Sequence, residues 1–213
     1  MPLPDAIWSL FKEQLFPVAS CQMTGLFNPY NSVELALDRP NADKIRRKNL
    51  RRYLDCFRRS PKLLLVGEAP GWRGCRFSGV PFTSEAQLAG GTHPFSGHQS
   101  SNAAQPFDEN SANNMWAVLA KLHSDVFLWN AVPLHPHQPG KYGENRKPTT
   151  KERKQFESLT DGLISILKPH SVVAVGRVAE SALQKHKPKY LRHPSFGGAS
   201  EFRTGMRALI SCI

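Results

Sequence analysis

The chain has 213 residues and a mass of 23.8 kDa, with 40% hydrophobic and 21% charged residues. That is enough apolar content for one core at this length, and it excludes a disordered tail protein. No apolar run approaches the about 20 residues that a membrane span needs, and a formal net charge of +11 with a pI near 9.8 makes a polyanion the first partner to consider.

The first segment, MPLPDAIWSLFKEQLF, is interrupted by Asp5, Lys12 and Glu13, so it has no uniform apolar stretch of the signal-peptide kind. Ile7, Leu10, Phe11 and Leu15 instead fall at helical spacing and predict a short amphipathic helix. Residues 17–32 read as loop. Asn41 is placed to cap a helix running to about Arg59, with Leu50, Tyr53, Leu54 and Phe57 as its apolar stripe. Lys62 to Val66 is a short apolar run that ends in the glycine-rich GEAPG at 67–71, a strand followed by a loop.

Residues 83–112 are polar and rich in Gly, Ser, Asn and His, and read as a long surface loop, either functional or mobile. A helix is predicted over Asn113–His123, capped by Ser111, and a second buried strand over Val126–Asn130. Thr149 and Glu152 form a capping box that opens a helix striped by Phe156, Leu159, Leu163, Ile166 and Leu167. Val172–Val175 is a third strand, followed by Gly176 and a helix to about His186. Tyr190–Arg192 is a short fourth strand, and a last helix spans 204–211.

Apolar runs alternating with helical patterns predict an α/β fold, a parallel sheet covered on both faces, in one domain over 1–213. Ligands of such sheets bind beyond the carboxyl ends of the strands. Three loops leave those ends: GEAPG, NAVPLHPH and HPSFGG. Cys21, Cys56, Cys75 and Cys212 include no C-x-x-C pair, so neither a zinc ribbon nor a disulfide scaffold is expected. No metal or other cofactor is expected, and the thiols suit a reducing compartment, cytoplasmic or nuclear.

Taken singly, the loop residues are weak signals. GEAPGWRG is neither a P-loop nor a dinucleotide fingerprint, and alone reads as a turn that aims backbone N–H groups at an anion or carbonyl. Phe82, eleven residues after Gly71, is either a stacking platform or core. Asn130 ends a strand with an amide that can read a base edge or cap a turn. His193 can donate a hydrogen bond to a developing anion.

In the order GEAPG, SGVPF, strand-WN and HPS, these segments together resemble the uracil-DNA glycosylase superfamily, over roughly residues 62–207. The resemblance implies a three-layer sandwich whose four-stranded parallel sheet lies between helices. It implies a monofunctional glycosylase that flips out uracil or a related deaminated base and hydrolyses its N-glycosidic bond, acting on DNA as a monomer. By the same resemblance Phe82 stacks on the base and Asn130 reads its Watson–Crick edge. The backbone at Gly67, Glu68 and Ala69 contacts a base carbonyl. His193 stabilises the departing anion, Ser195 and its loop hold phosphate, and Phe196 is the apolar wedge.

Three departures stand out. Ala69 occupies the place where the family often has an Asp or Asn to position the attacking water, leaving Glu68 or the backbone for that task. Gly71 stands where some branches carry a methyl-excluding Tyr. Cys21 and Cys56 do not supply the cysteine pair of the iron–sulfur branch. Ala69 also motivates an alternative, a non-catalytic DNA-binding relative, and an enzyme of free nucleotides is a more remote one.

Nine basic residues fall within 44–62 against Asp55 alone, giving +8 of the +11. This run is either a solvated helix face or a phosphate-contacting surface. Arg47, Arg51 and Arg52 are its expected DNA contacts.

Overall fold

The computed structural model describes residues 1–91 and 93–211; Cys212 lies outside them. In chain order the elements are α1 (Leu3–Gln14), β1 (Leu26–Phe27), α2 (Ala42–Leu54), β2 (Leu63–Gly67), α3 (Cys75–Ser78), α4 (Glu85–Ala89), α5 (Asn110–Leu119), β3 (Val126–Asn130), β4 (His135–Pro136), α6 (Thr150–Gln155), α7 (Glu157–Leu167), β5 (Ser171–Val175), α8 (Arg177–Ala182), β6 (Lys189–Leu191) and α9 (Ala199–Ile210).

The main sheet is fully parallel, in the order β3-β2-β5-β6, with helices flanking it as the α/β pattern predicts. Leu63 to Gly67 lie opposite Val126 to Asn130, so the GEAPG loop and Asn130 emerge side by side. β2 is central, and every residue of β2 and β3 is buried, which is why both read as unbroken apolar runs. β3 is an edge strand, and α2 covers it: the Tyr53 hydroxyl accepts from the Leu128 N–H at 2.6 Å and stands 3.3 Å from its carbonyl oxygen. The Trp129 ring stacks on Phe11 of α1 at 4.6 Å. One continuous core cluster extends from Ile7 to Met206.

Several local expectations are corrected. The 83–112 segment is not one structureless loop. Ser84 and Gln87 form a capping box that starts α4, and the buried Glu85 carboxylate accepts from the backbone N–H of Ser100 and Ser101 and from the Ser101 hydroxyl at 2.6 Å. α5 begins at Asn110, so Ser111 lies inside the helix. α2 stops at Leu54, and Asn41 makes no side-chain cap. The helix opened by Thr149 breaks at Phe156 into α6 and α7. The last helix starts at Ala199, and the loops after Pro17 and Asn130 contribute the paired strands β1 and β4.

The basic run is partly internal. Arg46 and Arg76 both bind Asp38, and all three side chains are fully buried. The Arg76 guanidinium also lies over the rings of Phe27 and Phe77 at 4.4 and 4.1 Å. This cluster ties the N-terminal segment to α2 and α3.

Candidate active site

A cavity of about 410 Å³ opens at the carboxyl ends of the parallel strands. Glu68, Ala69, Phe82, Asn130, His193, Ser195 and Phe196 all line it. Residues far apart in sequence meet because β2, β3 and β6 run in the same direction and end together.

Gly67 explains how tightly they meet. A Cβ there would stand 2.4 Å from the Phe82 ring and 2.9 Å from Asn130 Oδ1, so only glycine lets both approach the end of β2. The Gly67 and Glu68 carbonyls accept from the N–H groups of Ala131 and Val132, which locks the GEAPG loop to the chain leaving β3. The Pro70 carbonyl lies 2.8 Å from Nδ1 of the buried His135. Phe82 adopts a left-handed backbone conformation, φ 52°, and the Trp116 indole N–H donates to its carbonyl at 3.0 Å. Asn130 is 4% exposed and lines the cavity, and among the described residues its side-chain amide makes no hydrogen bond. A buried, uncommitted amide facing a cavity is suited to a ligand with complementary donors and acceptors.

His193 follows β6 and packs close to Gly176, whose φ of +92° and missing side chain leave room for it. Its ring centroid is 6.5 Å from that of Phe82. The Ser195 N–H donates to His193 Nδ1 at 3.1 Å, so the neutral ring carries its proton on Nε2. Burial, then the charge of Arg192, hold its pKa below the ordinary imidazole value, so it is neutral at pH 7. The Ser195 hydroxyl lies 3.1 Å from that of Ser111, joining this loop to the start of α5. Phe196 is 99% exposed and also left-handed at φ 52°.

Burial raises the Glu68 pKa, while the charges of Lys147 and Arg153 oppose that rise. Residues the sequence reading missed also line the cavity: Cys75, Glu109, Ser111, Arg146 and Lys147. Arg146 is committed to Glu152, at 2.6 and 2.8 Å, and to backbone carbonyls. Lys147 is exposed and has no ion pair among the described residues. Glu109 was hidden in the presumed loop; the signal for it was an acidic pair, Asp108 and Glu109, directly before the helical stripe Met115, Trp116, Leu119.

Arg47, Arg51 and Arg52 do not line the cavity. Arg47 pairs with Asp43 at 3.5 Å, Arg51 with Asp5 at 2.8 Å and Asp55 at 2.9 Å, and Arg52 reaches the Ser96 carbonyl at 3.3 Å. Further along the run, Arg59 pairs with Asp125, just before β3 begins, at the opposite end of the sheet from the cavity.

A parallel α/β sheet with a polar-and-aromatic cavity at the carboxyl ends of its strands is the arrangement in which open α/β proteins place their ligand sites. The description "Uracil DNA glycosylase superfamily" matches residues 54–209, and the chain belongs to that superfamily. Its fold is similar to the crystal structure of SMUG2 from Pedobacter heparinus, with a TM-score of 0.65 and 16% identity over 100% of this chain and 98% of that one. Among curated proteins, none matches the chain in sequence. Among the described residues, no helix is long and apolar enough to cross a membrane.

Proposed function

We propose that the chain is a monofunctional DNA glycosylase that draws uracil or a related deaminated base out of the stack and hydrolyses its N-glycosidic bond. The observation that carries this reading is the convergence of Phe82, the uncommitted amide of Asn130 and the Nε2–H tautomer of His193 in one cavity. Phe82 supplies a face for the extruded base. Asn130 offers one acceptor and two donors to its edge, and Gly67 lets both reach it. As the bond to the sugar breaks, negative charge develops on the base, and the His193 Nε2–H donates a hydrogen bond to it. A pre-set neutral donor in a desolvated site stabilises such charge without rearranging.

Outside the cavity, the exposed ring of Phe196 is placed to fill the space that the base vacates, offsetting the few kcal/mol that flipping costs. Ser195, with Ser111 beside it, faces the adjoining phosphate. Lys147 at the cavity rim is a nearer source of phosphate attraction than Arg47, Arg51 and Arg52.

The test is to incubate the chain with uracil-, hypoxanthine- and xanthine-containing oligonucleotides, single- and double-stranded, and then treat with alkali. Strand scission at the modified base is expected, and none across all substrates refutes the reading. Ala69, which brings no polar group to the water's side of the cavity, favours a second reading: a DNA-binding relative without turnover. Salt-dependent binding of uracil DNA with no base release would establish that instead.

A further inference from the structure

We propose that Glu109, rather than Glu68, is the carboxylate that takes the proton of the attacking water, an inference that rests on the glycosylase reading above. The Glu109 carboxyl fills the concave side of the GWRG turn. Its Oε1 lies 2.2 Å from where a Gly71 Cβ would stand, and its Oε2 2.1 Å from where a Gly74 Cβ would stand. The two glycines therefore form a cradle that admits this carboxyl and no side chain of their own. The carboxyl lines the same cavity as Phe82, Asn130 and His193, and among the described residues no group donates a hydrogen bond to it. Glu109 directly precedes α5, whose Ser111 touches Ser195, so its position is coupled to the loop that carries His193.

Few groups lining the cavity can serve as the base. Ala69 is apolar. His193 accepts the Ser195 N–H on Nδ1, so its remaining nitrogen carries a proton and donates. Burial raises the Glu68 pKa too, but Lys147 and Arg153 pull against that rise, and each cation that steadies a carboxylate lowers its affinity for a proton. Glu109 has no such cation. Burial, with the charge of Asp108 second, raises its pKa to about 7, close to ideal for a base working at neutral pH. The titratable neighbours facing it are Asp108 on its own segment and Cys75 on α3. Glu68, His193, Arg146 and Lys147 also line the cavity.

The step balances within these groups. The water oxygen bonds to the sugar C1′, and the C1′–N bond breaks with its electron pair leaving on the base. The water proton passes to Glu109, and His193 holds the departing anion by a hydrogen bond. The products are an abasic sugar and the base anion, and Glu109 passes the water's proton to that anion or to solvent, which restores the carboxylate and leaves the free base.

The experiment measures single-turnover release of uracil from an oligonucleotide over about pH 5.5 to 8.5, for the wild-type chain, Glu109→Gln, Glu68→Gln and Gly71→Ala. Glu109→Gln is expected to slow release by about 10²- to 10⁴-fold, the usual worth of a positioned base. Its affinity for an abasic-site oligonucleotide should stay within about twofold of wild type. The wild-type rate should climb about tenfold per pH unit and level off near 7, the Glu109 value, whereas the Glu109→Gln profile loses that limb. Glu68→Gln should keep the limb. Gly71→Ala pushes the carboxyl aside without removing it and should slow release with the limb displaced. Release by Glu109→Gln at the wild-type rate and with the wild-type pH profile overturns the inference alone. No release by the wild-type chain from any deaminated base overturns the glycosylase reading and this role together.

Discussion

Glu109 should leave a mark on stability that does not depend on activity. Its carboxyl sits near 7 in the folded chain, against 4.5 for an ordinary glutamate. The folded state therefore holds the proton more tightly than the unfolded state. Between about pH 4.5 and 7 the unfolded chain binds fewer protons, so folding stability falls as pH rises through that window and levels off above it. The full gap corresponds to about 3 kcal/mol at pH 8 and about 1 kcal/mol at pH 5. The residue keeps part of its surface open to the cavity, and solvent screening there reduces the difference between the two conditions to about 1 to 2 kcal/mol. Glu109→Gln keeps the shape and removes the charge. Relative to wild type, its melting temperature should gain about 2 to 8 °C more at pH 8 than at pH 5, since a chain of this size shifts about 2 to 4 °C per kcal/mol. Paired thermal melts at the two pH values, followed by circular dichroism, read this directly. A Glu109→Gln effect of the same size at both values would refute the reasoning, because it would mean that the carboxyl titrates normally in the folded chain.

His193→Ala should lower the rate of base release by about 10²- to 10³-fold, the usual effect of deleting one donor to a developing anion, while leaving the melting temperature nearly unchanged; single-turnover kinetics beside a melt check both. Asp38→Asn removes the charge shared by two buried guanidiniums and should cost about 3 to 5 kcal/mol in urea denaturation. Glu85→Ala strips the acceptor from the Ser100 and Ser101 N–H groups and should expose the 90–107 segment to proteolysis well before the rest of the chain, as mass spectrometry of the early fragments would show. Lys147→Ala should reduce the salt slope of duplex DNA binding by about 0.9, whereas Arg51→Ala, removing a residue already paired with Asp5 and Asp55, should leave it nearly unchanged; binding titrations across a salt series separate the two.

The sheet was legible because β2 and β3 are buried on both faces and so appear as apolar runs that no surface helix would carry. The positions around the cavity were legible for a different reason. They stand where strands end, and the turn residues there interrupt the pattern abruptly. Two things were not legible. Polar residues in 83–112 read as solvent-exposed because their partners are distant backbone groups: Glu85 is wholly buried and satisfied by the N–H groups of a segment 15 residues away. Charge in 44–62 read as surface for the same reason in reverse, since the partner of Arg46 is Asp38, outside the run, and only the folded chain places it there. Glu109 fell between the two cases. Its neighbours in space, Gly71 and Gly74, are 38 and 35 residues away in sequence, and a missing side chain leaves no sequence mark of what fills its place.

Phe82 and Phe196 both hold φ at 52°, a conformation that costs an ordinary side chain about 1 to 2 kcal/mol and glycine almost nothing. Phe196 is also almost completely exposed, so its ring returns little to the fold. Any programme that selects variants of this chain on thermal resistance alone will be drawn to glycine or asparagine at position 196, and the gain it records there will be the loss of an exposed aromatic ring at the edge of the cavity. Under the wedge role proposed for Phe196, libraries for stabilisation need that position held fixed, or need a DNA-dependent step in the selection.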